Sequence, residues 1–179
     1  MIERELTYLA KHLPEGLANC NFKEIIDIYV PKESRHPTLR IRKNGNKYEV
    51  TKKEPVNEGE YSEMHEFTTP LTEEEFKALE NTDGKRVRKL RYYYDHNGRT
   101  AEVDVFQDDL KGLVVIDFEF ETSEEKSAFE MPDFCLKDIT QEEFCAGGMV
   151  CGKCYEDLEK HLDKFEYEKI LFEINQLIL

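Results

Sequence analysis

The stretch Gly112–Glu121, GLVVIDFEFE, has two chemically opposite faces over the length of one β-strand. Side chains alternate between the two faces of a strand, so one face is apolar and carries Val114, Ile116, Phe118 and Phe120. The other face begins with Leu113 and Val115 and continues with three carboxylates, Asp117, Glu119 and Glu121. An antiparallel strand with its acids in water would show the same pattern. The neighbouring strands therefore decide the interpretation.

The two strands predicted before this stretch repeat the separation of charged and apolar faces. Lys85–Tyr94 places Lys89 and Arg91 on one face, with Leu90, Tyr92 and Tyr94 on the other. His96-Asn97-Gly98 is a hairpin signal, because Asn-Gly accepts the positive φ of a tight turn. Arg99–Gln107 then returns with Glu102 and Asp104 opposite an apolar face of Ala101, Val103 and Val105. Both strands carry charges two residues apart.

Five further strands are predicted toward the N-terminus. Their ranges are Ile2–Ala10, Lys23–Val30, Thr38–Lys43, Lys47–Lys53 and Tyr61–Leu71. The first places Glu3 and Glu5 on one face, and the third does the same for Arg40 and Arg42. Lys52 lies near the end of the fourth strand.

Helices are predicted between and after the strands. Thr72 with Glu75 forms a capping box for Glu73–Glu80, and Thr122 with Glu125 forms one for a helix through Phe129. An irregular stretch is predicted from Pro132, with Gly147-Gly148 inside it. Two amphipathic helices are predicted to follow, one on Tyr155, Leu158, Leu162 and Phe165, the other on Ile170, Leu171, Ile174, Leu177 and Ile178.

Eight strands joined mostly as hairpins, with helices at strand ends, predict an α+β fold. We expect an eight-stranded antiparallel β-barrel with helices packed outside and at the C-terminus. Residues 1–179 are predicted to form a single domain, with 150–179 as a C-terminal helical appendage. If the helices cover the apolar faces, the charged faces line the lumen. Burying so many charges is costly without a ligand, so the lumen is expected to be wet and to bind a highly charged molecule.

The amino-acid composition limits the classes of partner that the protein is expected to bind. The 179 residues carry a net charge of −14, which argues against nucleic acid as a partner. No apolar signal core and no run of about 18 apolar residues is present, so no membrane association is expected and the predicted location is cytoplasmic. Nothing in the sequence indicates an oligomeric state. The five cysteines are interpreted as free thiols of a reducing compartment. The alternative is a structural zinc on Cys151 and Cys154, with Cys135 and Cys145 completing four thiolates.

In their order and strand placement, these charges resemble the CYTH superfamily, the triphosphate tunnel metalloenzymes, over nearly the whole chain. The family's E-x-E-x-K motif falls on Glu3, Glu5 and Thr7, and its paired arginines fall on Arg40 and Arg42. The family's lysine after the next strand falls on Lys52, and its K-x-R motif falls on Lys89 and Arg91. The E-x-D-x-F motif falls on Glu102, Asp104 and Phe106. The G-L-x-x-x-E-x-E motif falls on Gly112, Leu113, Asp117 and Glu119. The chain departs from the pattern at Thr7 and Asp117, and also at Met64 and Thr68 on the fifth strand.

The resemblance implies hydrolysis of a triphosphate-containing small molecule, either inorganic triphosphate or a nucleoside triphosphate. Mg²⁺ or Mn²⁺ is the expected cofactor, because hard ions prefer carboxylate oxygens, and the candidate ligands are Glu3, Glu5, Asp117 and Glu119. Glu3, Glu5 and Glu119 are the candidate catalytic residues. The candidate substrate ligands are Arg40, Arg42, Lys52, Lys89 and Arg91, and Glu102 and Asp104 are expected to support them. An adenylate cyclase and a non-catalytic module that binds polyphosphate or a phosphorylated ligand remain the alternatives.

Overall fold

The computed structural model describes residues 2–57 and 63–172, with side chains from residue 4 onward. Its strands are β1 Ile2–Ala10, β2 Phe22–Val30, β3 Leu39–Asn44, β4 Lys47–Pro55, β5 Glu63–Leu71, β6 Lys85–His96, β7 Arg99–Phe106, β8 Val114–Glu119 and β9 Cys135–Asp138. Its α-helices are α1 Glu73–Leu79, α2 Ser123–Ser127, α3 Gly147–Val150 and α4 Tyr155–Leu162. Short 3-10 turns lie at Leu17–Asn19, Asp108–Leu110, Glu143–Cys145 and Asp163–Phe165.

The strands form a closed antiparallel barrel. Their order is β5-β4-β3-β2-β6-β7-β8-β1-β9, and β5 also pairs with β1, which closes eight strands into a ring. The closing ladder is short: Ile2 lies opposite His65, and Arg4 lies opposite Glu63. The predicted eight-stranded barrel is therefore confirmed, and β9 is an extra strand on its edge.

Apolar outer faces pack beneath helices and loops, as the alternation predicted. Ile116 and Phe118 of β8 are fully buried on the outer face. Phe129, which follows α2, packs on Phe118 with ring centroids 4.6 Å apart. Burying a side chain of this size stabilises the fold by about 1.5–3 kcal/mol. The opposite face of the same strand is thereby turned into the lumen.

The capping signals in the sequence correctly predicted where the first two helices begin. Thr72 accepts a hydrogen bond from the Glu75 N–H at 3.2 Å, and the Glu75 carboxylate accepts one from the Thr72 N–H at 2.7 Å. Phe76, buried by α1, then lies 4.9 Å from the Tyr48 ring. The second capping threonine, Thr122, accepts from the Glu125 N–H at 3.1 Å.

The prediction of an irregular stretch after Pro132 was wrong at β9. This strand pairs with β1, with Lys137 opposite Leu9 and Asp138 opposite Tyr8. Four residues are too few to show an alternating pattern, and the strand is specified mainly by backbone pairing with β1. Beyond it, the Ile139 N–H donates to the Thr7 carbonyl at 2.8 Å.

The C-terminal prediction is confirmed only for its first helix. α4 buries Tyr155, Leu158 and Leu162, whereas residues 166–172 contain no helix. The second predicted helix therefore does not begin at Ile170, and its remaining positions lie outside the described residues. Instead, the Ile170 N–H donates to the Gly112 carbonyl at 3.0 Å. Within the described ranges, no helix is long and apolar enough to cross a membrane.

Candidate functional site

The barrel encloses a cavity of about 560 Å³, which is called the lumen below. All eight barrel strands contribute charged or polar side chains to it. The charged strand residues that line it are Glu5, Asp27, Arg40, Arg42, Glu49, Lys53, Glu66, Lys89, Arg91, Glu102, Asp104, Asp117 and Glu119. The charged faces seen in the sequence therefore converge on one space.

On the β2–β3 wall, a buried acid holds the arginine pair. Nε and Nη2 of Arg42 donate to the two carboxylate oxygens of Asp27, at 2.6 and 2.8 Å. Burial alone would raise the pKa of Asp27, but the charges of Arg42 and Arg40 hold that pKa below its usual value. Arg40 Nε lies 4.0 Å from Asp27 and has no hydrogen-bond partner among the described residues. This buried donor suits an anion in the lumen.

On the β6–β7 wall, Asp104 organises the second pair of cations. It accepts two hydrogen bonds of 2.7 Å from the Arg91 guanidinium and also contacts the Lys89 ammonium. Burial opposes ionisation of Asp104, yet Arg91 and Lys89 lower its pKa to about 2. Burial also lowers the pKa of Lys89, reinforced by the charges of Arg91 and Arg42, although Asp104 partly offsets this. These cations are fixed in place before any ligand arrives.

The β1–β8 wall is acidic. Glu5 lies directly opposite Glu119 in the antiparallel ladder, and Thr7 lies opposite Asp117. The Thr7 hydroxyl donates to the Asp117 carboxylate at 2.8 Å. Burial and the nearby charge of Asp104 raise the pKa of Asp117. Carboxylates that face each other in this way repel unless a cation lies between them.

Glu102 of β7 extends the acidic wall. It lies opposite Asp117 and contacts Arg91. Burial raises the pKa of Glu102 to about 7, despite the favourable charge of Arg91. This carboxylate can therefore gain or lose a proton near neutral pH.

The acidic wall fits a hard divalent ion. Among the described residues, no group of three acidic, histidine or cysteine side chains forms a ready-made metal site. Mg²⁺, however, is commonly held by one or two carboxylates together with substrate phosphates and water. Glu5 and Glu119, which lie opposite each other in the ladder and line the same lumen as the arginines of β3 and β6, provide two such carboxylates.

The structure corrects the placement of one predicted ligand. Lys52 points away from the lumen, its side chain is 53% exposed, and its ammonium pairs with Glu54 at 2.7 Å. Lys53 lines the lumen instead, where it pairs with Glu66 at 3.3 Å. The register explains the difference, because Arg40 pairs with Thr51, whose side chain shares a face with that of Lys53 and not with that of Lys52.

The remaining predicted residues divide into two groups. Those that line the lumen are Glu5, Arg40, Arg42, Lys89, Arg91, Glu102, Asp104, Asp117 and Glu119. Glu3 lies opposite Met64 in the backbone ladder, and its side chain lies outside the described ones.

Three strand acids of the lumen, Asp27, Glu49 and Glu66, were missed in the sequence. Asp27 is 2% exposed and is the counter-ion of the arginine pair. Its signal was a single carboxylate within the apolar run of β2. Glu66 shares a face with Thr68, whose hydroxyl donates to it at 2.7 Å.

Comparisons with known proteins agree with this geometry. The CYTH domain model matches residues 1–142. The chain is 28% identical over 144 residues to an inorganic triphosphatase of Nitrosomonas europaea, a match that covers 79% of this chain and 91% of the relative.

Two solved structures share the fold. The crystal structure of an inorganic triphosphatase superposes with a TM-score of 0.61 at 22% identity and covers 84% of this chain and 95% of the other. A putative adenylate cyclase from Bacillus halodurans superposes with a TM-score of 0.51 at 15% identity and covers 98% and 95%. Together with the match to the family model, the barrel and its charged lumen establish that the chain belongs to the CYTH domain family.

Proposed function

We propose that the chain hydrolyses the terminal phosphate of a triphosphate, inorganic or carried by a nucleoside, in the lumen with Mg²⁺ or Mn²⁺. The observation that carries this proposal is that two chemistries line one cavity. Cations of β3 and β6 line the same lumen as carboxylates placed in register on β1 and β8, and Arg91 lies 3.5 Å from Asp117. The relative from Nitrosomonas europaea, named an inorganic triphosphatase, supports the same reaction class.

The cationic walls would bind the phosphate oxygens. Arg40 offers a buried Nε that has no hydrogen-bond partner among the described side chains, and Arg42 is held beside it by Asp27. Lys89 and Arg91 approach from β6, and Lys53 replaces Lys52 as the candidate from β4. A charge-assisted hydrogen bond is worth about 1.5–3 kcal/mol. Several such contacts would hold and orient a triphosphate.

The acidic wall would hold the divalent ion. Glu5 and Glu119 are the principal candidates, Asp117 lies next to them, and Glu3 follows on the same strand parity. A bound ion would neutralise phosphate charge at the reacting group. Asp104 would keep Arg91 and Lys89 in position.

Hydrolysis then requires mainly positioning and charge neutralisation, since phosphoryl transfer needs no covalent nucleophile from the protein. Water adds to the terminal phosphorus, the bond from that phosphorus to the bridging oxygen breaks, and the water proton must leave. Glu102, a lumen carboxylate whose pKa is raised by burial, is a candidate acceptor for that proton.

A second candidate function is binding of a phosphate chain without hydrolysis. Thr7 stands where the family motif has lysine, and its hydroxyl is engaged by Asp117 rather than free to contact a phosphate. The loss of one cation from the lumen favours this reading.

A panel of substrates separates the possibilities. Tripolyphosphate, ATP, GTP and thiamine triphosphate would each be incubated with Mg²⁺, Mn²⁺ or EDTA, and phosphate, pyrophosphate and cyclic nucleotide would be measured. Hydrolysis predicts phosphate release that EDTA abolishes. Cyclic nucleotide with pyrophosphate would indicate a cyclase, and tripolyphosphate binding without any product would indicate a binding module.

A further inference from the structure

Thr7 of β1 directs its side chain at a carboxylate of the acidic wall. It lies opposite Asp117 in the β1–β8 ladder, and its hydroxyl donates to Asp117 Oδ1 at 2.8 Å. A hydroxyl has one proton to donate, and Thr7 uses that proton on this carboxylate. Both residues line the lumen. The hydroxyl therefore fixes the orientation of a candidate metal ligand.

The backbone of Thr7 is held by the segment that follows β9. Its N–H donates to the Thr140 hydroxyl at 3.0 Å, and its carbonyl accepts from the Ile139 N–H at 2.8 Å. The Thr140 hydroxyl in turn donates to the Asp138 carboxylate at 2.6 Å. Because both backbone groups of Thr7 bond to this segment, Thr7 and Asp117 form a non-hydrogen-bonded pair of the ladder, in which facing side chains are closest. The segment thus helps to fix Thr7 against Asp117.

Asp117 shares its cationic partner with two other acids. Among the described residues its ion-pair partner is the Arg91 guanidinium, which lies 3.5 Å from Asp117 Oδ2. That guanidinium already donates two hydrogen bonds of 2.7 Å to Asp104 and also contacts Glu102. A lysine at position 7 would add an ammonium opposite Asp117, whereas the threonine adds a donor without charge. Asp117 therefore keeps negative charge that a divalent ion can neutralise.

We propose that Thr7 is a positioning residue, whose hydroxyl orients Asp117 for a divalent ion without adding an ammonium that would compete with that ion. The inference rests on the proposed function and gives a role to the position where the resemblance expects lysine. Carboxylates that hold a metal are themselves held by hydrogen bonds from neighbouring groups. A carboxylate offers about four acceptor sites, and the contacts to Thr7 and Arg91 occupy two, so Asp117 retains acceptors for the ion. The threonine would thus serve the metal and not the phosphate.

Mn²⁺ binding by the substrate-free protein tests this role without any turnover. The full-length wild type, Thr7→Val and Thr7→Ser would be titrated with manganese chloride, and free Mn²⁺ would be measured by electron paramagnetic resonance. Thr7→Val keeps the shape of the side chain but removes the donor, so Mn²⁺ binding should weaken by roughly 10- to 100-fold. Thr7→Ser restores the donor and should bind Mn²⁺ as wild type does. Circular dichroism would show that each variant is folded, and Thr7→Ala replaces Thr7→Val if the latter does not fold.

Thr7→Lys separates positioning from support of the ladder. Its ammonium would pair with Asp117, so Mn²⁺ binding should weaken. Tripolyphosphate binding in EDTA should strengthen, because the lumen gains a cation. A residue that only stabilises the pairing of β1 with β8 would not move these two affinities in opposite directions.

Thr51→Val is the matched control. Thr51 is another buried threonine of the lumen, but its hydroxyl bonds to the Thr68 hydroxyl at 2.9 Å and not to a carboxylate. Its Mn²⁺ affinity should equal that of wild type. An equal loss in Thr51→Val and Thr7→Val would overturn the inference, because any lumen hydroxyl would then have the same effect.

Four other results would also overturn it. They are wild-type Mn²⁺ affinity in folded Thr7→Val, a Thr7→Ser variant as weak as Thr7→Val, a shift of both affinities in the same direction in Thr7→Lys, and a substrate-free wild type that takes up no Mn²⁺. The proposed function fails separately, when the wild type releases no phosphate from any triphosphate with either ion. Mn²⁺ binding that depends on the Thr7 hydroxyl in such an inactive protein would overturn hydrolysis and leave the positioning role of Thr7 intact.

Discussion

Glu5 on β1 and Glu119 on β8 occupy directly opposite positions in an antiparallel ladder, and both side chains line the lumen. Opposed like charges destabilise a ladder by up to about 1 kcal/mol. In the proposed function, this pair of opposed carboxylates is where the divalent ion would bind.

Replacing one of these carboxylates should separate stability from catalysis. Glu119→Gln keeps the shape of the side chain and removes its charge. We expect the metal-free melting temperature to rise or stay unchanged, because the repulsion from Glu5 is relieved. Phosphate release from tripolyphosphate should collapse, and any residual activity should require more metal.

Glu54→Gln is the matched control, because Glu54 pairs with Lys52 away from the lumen. Its activity and metal requirement should equal those of wild type. Full activity in folded Glu119→Gln would show that this carboxylate does not support the metal.

Adjacent residues of β4 should behave differently. Lys53→Ala should weaken tripolyphosphate binding, because Lys53 lines the lumen, whereas Lys52→Ala should leave it unchanged. Calorimetric titration in EDTA would measure both. Equal losses of tripolyphosphate affinity in the two variants would contradict the placement of Lys53 in the lumen and of Lys52 on the outer face of β4.

The buried donor of Arg40 should matter more than either lysine. Loss of one charge-assisted contact of about 1.5–3 kcal/mol corresponds to roughly one to two decades in affinity. Arg40→Ala should therefore weaken tripolyphosphate binding by that amount while circular dichroism shows a folded barrel. Unchanged affinity in a folded variant would mean that Arg40 does not bind the ligand.

Asp27 should stabilise the fold, and its contribution to the free energy of unfolding should depend on pH. Asp27→Asn leaves the buried Arg42 guanidinium without its counter-ion, which typically costs about 3–5 kcal/mol. The pKa of Asp27 is lowered in the folded state, so its contribution is present above the unfolded pKa of about 4 and is lost as the pH falls further.

Urea unfolding of wild type and Asp27→Asn between pH 7 and pH 2 would test this. The difference in unfolding free energy should be constant from pH 7 to about 5 and should shrink below about 4. The double variant with Arg42→Gln should be more stable than Asp27→Asn alone. A difference that widens on acidification would contradict the assignment.

Tyr167 should act on stability alone. Its hydroxyl accepts a hydrogen bond from the Val114 N–H at 2.8 Å and donates one to the Gly112 carbonyl at 2.9 Å, and so attaches the C-terminal segment to the start of β8. Tyr167→Phe leaves these buried groups unsatisfied and should cost about 1–3 kcal/mol. Its tripolyphosphate affinity should match wild type at temperatures where both are folded.

The barrel and most of the charged side chains that line its lumen could be predicted, because the alternation of side chains along a strand is a local property of the sequence. Asp117 and Glu119 share a face whatever surrounds them, and the apolar backs of their strands required cover. The sequence did not separate Lys52 from Lys53 as the lumen residue. The resemblance placed a lysine near a strand end, where a shift of one residue in register exchanges the two faces of the strand. The structure chose Lys53 through the pairing of β3 with β4.

The features that the sequence did not predict depend on contacts between residues that are far apart in the chain. β9 has four residues and exists because β1 offers it a free edge, which no local pattern announces. Asp27 gained its importance only when β2 brought it beside Arg42. The segment after β9 likewise depends on close approaches of Gly147 to Tyr29 and of Gly148 to Pro37, which are distant in the sequence.

Phosphate release from tripolyphosphate by the wild-type chain, followed while Mg²⁺ or Mn²⁺ is titrated from zero, tests the central claim most directly. We predict no release in EDTA and a saturable rise with the divalent ion, with equal amounts of phosphate and pyrophosphate as first products. Release that is unaffected by EDTA, or no release with either ion although tripolyphosphate binds, would contradict it.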